Sequence, residues 1–293
     1  MNPLIYKNGK VKKKRIFKKV LPIVFLLITF CCFFWFYLNL QIGKNTQAIF
    51  IQDPSLDKEI TLKIALIGDI HISDTEKEYE KIKRVLEKIE TESPDLILFA
   101  GDYTSLPSSV SDMENHRFKI AKLLTNESNK KKVFVLGNYE SWSRPEAWVD
   151  AFKTENAIVL ENEIRKVEID GQTICIRGLG DYYTNRFEYI DYPKDCVRSG
   201  KITITHDPAG AFHNNVQGLV LAAHTHCGQI RLPFIGALWI PSTAPIEATC
   251  GLYQDLQRTV FTTAGAGTTI LPLRIGTKST WDLLTLTFFA KEN

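Results

Sequence analysis

The 293-residue chain has little of several things, and each shortage excludes a class of protein. Six cysteines, two of them in an apolar run near the N-terminus, are too sparse for a disulfide-scaffolded fold of this length. Beyond residue 60 there is no internal repeat, low-complexity tract or second linker. At 44% hydrophobic and 24% charged residues, the chain is neither disordered nor collagen-like. Residues 1–19 carry no acid, and residues 20–43 carry no charge of either sign.

These two gaps reinterpret the net charge of +3. Eight of the 36 basic residues (Lys7, Lys10, Lys12, Lys13, Lys14, Arg15, Lys18 and Lys19) precede residue 20. The other 28 stand against 33 acids, so residues 44–293 carry a net −5. The uncharged Val20–Leu40 is long enough for one membrane-spanning helix, which needs about 20 apolar residues. Pro22 falls in the first turn, where its missing N–H matters little, and Trp35 and Tyr37 suit an interfacial belt. The run exceeds a signal-peptide core and no small-x-small cleavage site follows closely, which favours an uncleaved anchor over a cleaved signal. The basic flank predicts a cytoplasmic N-terminus and an extracytoplasmic remainder. It can also attract anionic lipid headgroups. A basic cluster abutting a membrane segment, ahead of an acidic globule, argues against nucleic acid as a partner.

The expected organisation is a basic tail (1–19), a transmembrane helix (20–40), a polar linker (41–60) and one domain (61–293). Short apolar runs at Leu62–Ile67, Leu96–Ala100, Val133–Leu136, Ile202–Thr205 and Leu219–Ala223 have strand length. Glu76–Glu92 and Asp112–Leu124 read as helices between the first three. The β-α-β-α-β order predicts parallel pairing. Ile158–Leu160, Ile164–Ile169 and Thr173–Ile176 suit hairpins, and Arg258–Thr263 and Leu283–Phe289 close a β-rich end. A mixed α/β sandwich of two sheets fits best.

Each of the five apolar runs ends in a polar cluster: Gly68-Asp69-Ile70-His71, Gly101-Asp102-Tyr103, Gly137-Asn138-Tyr139-Glu140, His206-Asp207-Pro208 and His224-Thr225-His226. Ligand sites in open α/β sheets form beyond the carboxyl ends of strands. Carboxylate, amide and imidazole groups suit Mn, Fe or Zn without thiolate. Asp69, His71, Asp102, Asn138, His206, His224 and His226 are too many for one tetrahedral site. They fit two cations that share a carboxylate and act together on a phosphoryl group. Singly, each motif has a plainer reading as turn chemistry, N-capping or a packed histidine. The weight lies in five clusters after five strands, holding four of the six histidines.

The order Asp-x-His, Gly-Asp, Gly-Asn-x-Glu, His, His-x-His resembles the calcineurin-like metallophosphoesterase superfamily across roughly residues 61–289. The resemblance implies a four-layer αββα sandwich and a dinuclear centre. Asp69, His71, Asp102 and His226 would hold one cation, and Asp102, Asn138, His206 and His224 the other, with Asp102 as the bridge. Mn is favoured, with Fe or Zn as alternatives. His224 to Pro233, Gly251-Leu-Tyr253, Gly265-Ala-Gly267 and Pro272-Leu-Arg274 are similar to a membrane-tethered bacterial branch that includes UDP-diacylglucosamine pyrophosphatase-like enzymes. That likeness implies a bacterial cell-membrane protein.

The chain departs from the family pattern at two positions. Tyr139 stands where the family has a histidine that helps the phosphate or leaving group. A phenol still donates a hydrogen bond, although it cannot be cationic. Packing beside Trp142 is the plainer reading. Cys227 stands where the branch usually has glycine, and is read as a small packed residue rather than a reactive thiol. Among Cys175, Cys196, Cys227 and Cys250 the spacing selects no pairing, and Cys175 reads as a buried strand residue. His116 and His213 read as surface or rim residues. Asp207 either orients His206 or forms a turn with Pro208. Gln229 and Arg231 either line the cleft, Arg231 against a phosphate, or make surface pairs.

The leading expectation is a membrane-anchored hydrolase of phosphoester or pyrophosphate bonds in a lipid-linked substrate, with Asn138 and Tyr139 assisting. UDP-linked lipid precursors are cytoplasmic, so the predicted topology points to other lipid or carrier phosphates, unless the domain lies on the cytoplasmic face. The apolar Leu232, Phe234, Ile235, Leu238, Trp239 and Ile240 favour lipid unless they are core strand. The alternatives are a phosphodiesterase or phosphatase for soluble substrates, and a metal-dependent binding protein. The oligomeric state is left open.

Overall fold

The apolar runs become strands because each can bury one face against a second sheet and the other under an outer layer of helices or turns. The computed structural model describes residues 20–27, 29–30, 41–125, 130–213 and 215–290. Two units divide the chain at Gln41 and Ile42. In the first, residues 20–27 and 29–30 are helical. The basic tail and most of the second half of the expected span lie outside the described residues. Among the described residues no helix is long and apolar enough to cross a membrane.

The second unit is a two-sheet sandwich. The strands of the first sheet are β1 (Gly43–Gln52), β2 (Ile60–Ile67), β3 (Leu96–Phe99), β4 (Lys131–Phe134) and β5 (Ile158–Val159), with the last strand of the chain, Thr280–Phe289. The second sheet holds β6 (Glu163–Ile169), β7 (Gln172–Gly178), β8 (Gly200–Ile204), β9 (Gly218–Ala222) and two later strands, Gly251–Gln254 and Arg258–Thr262. Between β9 and these lies a small hairpin of β10 (Arg231–Leu232) and β11 (Gly236–Ala237), so the last three strands are β12, β13 and β14. The sheet orders are β1-β14-β2-β3-β4-β5 and β12-β13-β9-β8-β7-β6. As the β-α-β-α-β order predicts, β2, β3 and β4 pair in parallel.

Ile64, Leu66, Leu98 and Val133 of the first sheet share one buried core with Ile174, Ile176, Ile202 and Leu219 of the second. On the outer face of the first sheet lie α1 (Glu76–Thr91), α2 (Met113–Thr125) and, beyond a one-turn α3 (Asn138–Trp142), α4 (Pro145–Thr154). Helix α1 forms as its pattern predicts. Thr75 caps Glu78 N–H, and Tyr79, Ile82, Val85, Leu86 and Ile89 are the buried stripe.

Three expectations change. Residues 41–60 are not a linker throughout: β1 runs parallel to β14, with Ile49 and Ile51 buried on alternate positions while Ala48, Phe50 and Gln52 face out. The fourth layer of the αββα arrangement is not helical among the described residues. Val220 and Val260 are covered by 3-10 turns and by Phe187, Tyr189 and Ile190 in the β7–β8 connection, which lacks a helical apolar period. Ile158–Val159 joins β4 in parallel rather than forming a hairpin. The other hairpin forms as read, β6 to β7 through Asp170 (φ 47°) and Gly171 (φ 73°), both left-handed as a tight hairpin turn requires.

Candidate metal centre

Every candidate ligand lies within a few residues of a strand's carboxyl end. Asp69 and His71 follow β2, Asp102 follows β3, Asn138 opens α3 after β4, His206 follows β8, and His224 and His226 follow β9. All seven are buried. The turns are tight. Asp69, His71, Asp102, His224 and His226 take left-handed φ between 48° and 67°, a conformation that costs an L-residue roughly 1–3 kcal/mol. Gly101 makes the convergence possible: at φ +87°, a Cβ there would lie 2.6 Å from Gly137 N and 2.8 Å from His206 Nδ1.

Hydrogen bonds on the far side of the rings set the tautomers. His71 Nδ1 donates to Thr104 O at 3.2 Å, His206 Nδ1 to Ala100 O at 2.7 Å and His224 Nε2 to Pro241 O at 2.6 Å. When these rings are neutral, their inward nitrogens therefore carry lone pairs. His206 Nε2 lies 3.1 Å from His224 Nδ1, 3.1 Å from Asn138 Oδ1 and 3.3 Å from Asp102 Oδ2. Four acceptors face one another, an arrangement that needs a proton or a cation between them. Beside it, Asp69, His71 and His226 form a second convergent group. His71 Nε2 is 3.1 Å from His226 Nε2 and 3.7 Å from Asp102 Oδ2, so Asp102 stands between the groups. Asp69 Oδ1 accepts from His224 N at 3.0 Å, while its buried Oδ2 has no partner. An orphaned carboxylate oxygen and a ring of facing acceptors are what two cations would satisfy. His226 is the exception in tautomer. Arg274 Nη2 lies 3.1 Å from its Nδ1, and a guanidinium only donates, so the ring proton sits on Nε2.

The titration follows the geometry. Burial first, then Asp102, pushes the Asp69 carboxyl up to about 7. Burial would also raise Asp102, but the charge and hydrogen bond of His206 together with His71 and His224 outweigh it and hold Asp102 at about 2. The His206 ring is correspondingly raised well above the usual range, burial opposing and Asp102 prevailing. Burial lowers His71 to about 4 and His226 well below its usual range, so both rings are neutral; His71 presents its Nε2 lone pair, whereas His226 would ligate through Nε2 only with its ring proton moved off that nitrogen.

Three supporting groups carry little sequence signal of their role. Glu140 is buried and accepts from four backbone N–H groups: Asp102 (2.8 Å), Tyr103 (2.8 Å), Thr104 (3.2 Å) and Gly137 (3.0 Å). It fixes the Asp102 turn. Arg274, also buried, donates to the carbonyls of His226, Gly265 and Gly267. Asp181 is buried close to His206 and His224, whose charges offset part of the rise that burial imposes on it. Only the Glu three residues beyond Gly137 hinted at any of these.

Several readings need correction. His116 is fully buried, not on the surface. It bonds Tyr79 Oη at 2.5 Å and Thr104 Oγ1 at 3.1 Å. His213 is exposed, as read. Asp207 takes the turn role, accepting from Ala209 N at 3.0 Å, and leaves His206 to Ala100. Gln229 holds the 269–271 loop through Thr269 and Leu271. Arg231 reaches Cys227 O at 3.4 Å. The Tyr139 hydroxyl bonds Thr269 Oγ1, and its ring lies edge-on to His71 (4.6 Å) and 5.2 Å from Trp142. The cysteines read as packed residues are paired: Cys175 with Cys196 and Cys227 with Cys250. The apolar residues 232–240 are not core strand. Phe234, Ile235, Leu238 and Trp239 are exposed around the β10–β11 hairpin.

The family model of calcineurin-like phosphoesterases matches residues 62–228. The uncharacterized metallophosphoesterase YkuE of Bacillus subtilis (strain 168) is 29% identical over 229 residues, covering 76% of this chain and 78% of its own. The phosphodiesterase YaeI of Escherichia coli (strain K12) is 23% identical over 223 residues, covering 72% and 77%. The crystal structure of the calcineurin-like phosphoesterase YfkN from Bacillus subtilis aligns with a TM-score of 0.41 at 12% identity, covering 71% of this chain and 83% of that one.

Proposed function

Since the chain belongs to the calcineurin-like phosphoesterase family, we propose that it is a membrane-anchored phosphoesterase or pyrophosphatase acting on a lipid-linked phosphate. The coarser activity, metal-dependent hydrolysis of a phosphoester, comes with the family. When bound, two divalent cations would supply Lewis-acid stabilisation of phosphoryl charge and lower the pKa of water. Asp69, His71 and His226 would hold one, Asp102, His206, His224 and Asn138 the other, with Asp102 between. The Asn138 amide N–H groups are then free to donate to a phosphoryl oxygen. The Tyr139 hydroxyl would exchange Thr269 for the phosphate or its leaving group. Burial raises its pKa, so it remains a neutral donor near pH 7.

One observation carries the lipid reading. A cavity of about 150 Å³ opens beside His226 and Gln229, walled by Ile230, Leu238, Trp239, Pro241, Ile270 and Leu271. Of its walls, Trp239 is 58% exposed and Ile270 83%. Such a patch would be a liability in water alone and suits hydrocarbon. The anchor is supported by the uncharged run 20–40, and an extracytoplasmic domain by the basic flank and by two disulfides, which persist in oxidising compartments. A bacterial cell-membrane location is part of the same proposal.

The test pairs a soluble diester with lipid phosphates. With Mn, the wild type should release p-nitrophenol from bis-p-nitrophenyl phosphate and the Asp69→Ala variant should not. No release above that control would indicate a binding protein. Trp239→Asp with Ile270→Asp should depress turnover of lipid phosphates in vesicles while sparing the soluble diester. Equal loss on both, or on neither, favours a phosphodiesterase or phosphatase for soluble substrates.

A further inference from the structure

We propose that the Cys227–Cys250 disulfide is a positioning device for His226, holding a strained ligand loop in the shape that binds metal. The inference rests on the metal-dependent reading of the centre above.

Among the site's loops, left-handed residues crowd closest together in one. From His224 to Gln229, four non-glycine residues are left-handed: His224 (φ 67°), His226 (φ 51°), Cys227 (φ 53°) and Gln229 (φ 43°). L-residues visit this region singly and reluctantly, because Cβ approaches the following carbonyl. Glycine would adopt the Cys227 conformation freely. A Cβ-bearing residue there needs a compensating bond, and its Sγ makes one, to Cys250.

Cys250 is a firm attachment point. It directly precedes β12, whose Gly251 pairs with Thr262 of β13, and Thr262 Oγ1 donates to Ala248 O at 2.7 Å. The segment 241–250 touches the ligand loop at two further places. Pro241 O accepts from His224 Nε2 at 2.6 Å, and Thr249 O accepts from Thr225 Oγ1 at 2.6 Å. The disulfide is the covalent member of this strap, one residue from the ligand. The other disulfide is placed elsewhere. Cys196 precedes the start of β8, at the end opposite to the one from which His206 follows. It serves as a control for general loss of stability.

The test is Mn titration of the full chain in detergent by calorimetry, with bound metal per chain measured after desalting and folding checked by circular dichroism. The wild type should take up two Mn. Cys227→Ala with Cys250→Ser, which leaves no free thiol at the site, should weaken one of the two sites about tenfold or more. Cys175→Ser with Cys196→Ser should keep both affinities. Cys227→Gly with Cys250→Ser should recover most of the lost affinity, because glycine relieves the strain that the disulfide opposes. Wild-type affinity in Cys227→Ala/Cys250→Ser overturns the proposal while the metal reading stands. So does a Gly variant as weak as the Ala variant. A wild type that binds no Mn overturns both.

Discussion

Glu140→Gln is a small change in shape with a large expected effect. One carboxylate oxygen accepts from Tyr103 and Thr104 N–H, the other from Asp102 and Gly137 N–H. The amide keeps one oxygen, so two of the four donors lose their acceptor and face an NH₂ group instead. Glu140 is fully buried, so water does not replace it. Each buried donor left unpaired costs roughly 1–3 kcal/mol, so the loss is roughly 2–6 kcal/mol. For a domain of this size, each kcal/mol moves Tm by about 2–4 °C, so a fall of at least about 4 °C is expected. The displaced turn carries Asp102, which stands between the two ligand groups, so Mn affinity should fall at both sites together. Thermal melts and metal titration of Glu140→Gln beside Glu140→Ala test this, with the alanine variant the weaker. A Glu140→Gln protein melting within 1 °C of wild type, with unchanged Mn binding, would refute the argument that this carboxylate builds the site.

Chelating the metal from a Mn-loaded sample should lower Tm by about 5 °C or more, since a ligand at a hundred times its Kd stabilises by about 2.7 kcal/mol per site. A melt indifferent to both Mn and chelator would contradict the facing acceptors around His206. Cys175→Ser with Cys196→Ser opens a loop of 21 residues' separation and should destabilise by about 3 kcal/mol, read by urea unfolding. Asp53 lies 2.6 Å from Lys201 Nζ. Burial alone would raise its carboxyl, but the Lys201 and Ser55 hydrogen bonds prevail and hold it below the ordinary 3.8. Its folded value lies below its unfolded one, so its contribution is complete above 3.8 and lost as pH falls through the folded value. Asp53→Asn should therefore destabilise by about 1 kcal/mol at pH 7, with the urea midpoints of the two proteins converging as pH falls through the folded value.

The sequence by itself determined the candidate ligands and their placement at strand ends. Short apolar runs must be strands, and a strand's carboxyl end is where the next polar residues emerge. Gly68-Asp69, Gly101-Asp102, Gly137-Asn138, His206 and His224-Thr225-His226 were therefore readable as one convergent site. Period-3.6 spacing in Glu76–Thr91 determined α1 in the same local way. What it left undecided depends on partners distant in the chain. β1 is a strand because Thr280–Phe289 offers it an edge, and its own residues 43–48 are mostly polar. His116 is buried because Tyr79 and Thr104 satisfy both ring nitrogens. The cysteine pairings required Cα separations of 6.0 and 4.7 Å that no spacing encodes. Glu140 and Arg274 became parts of the site only once the packed turns aimed backbone N–H and C=O groups at them. Local patterns are set by neighbours along the chain, and these are set by neighbours in space, which only the tertiary structure supplies.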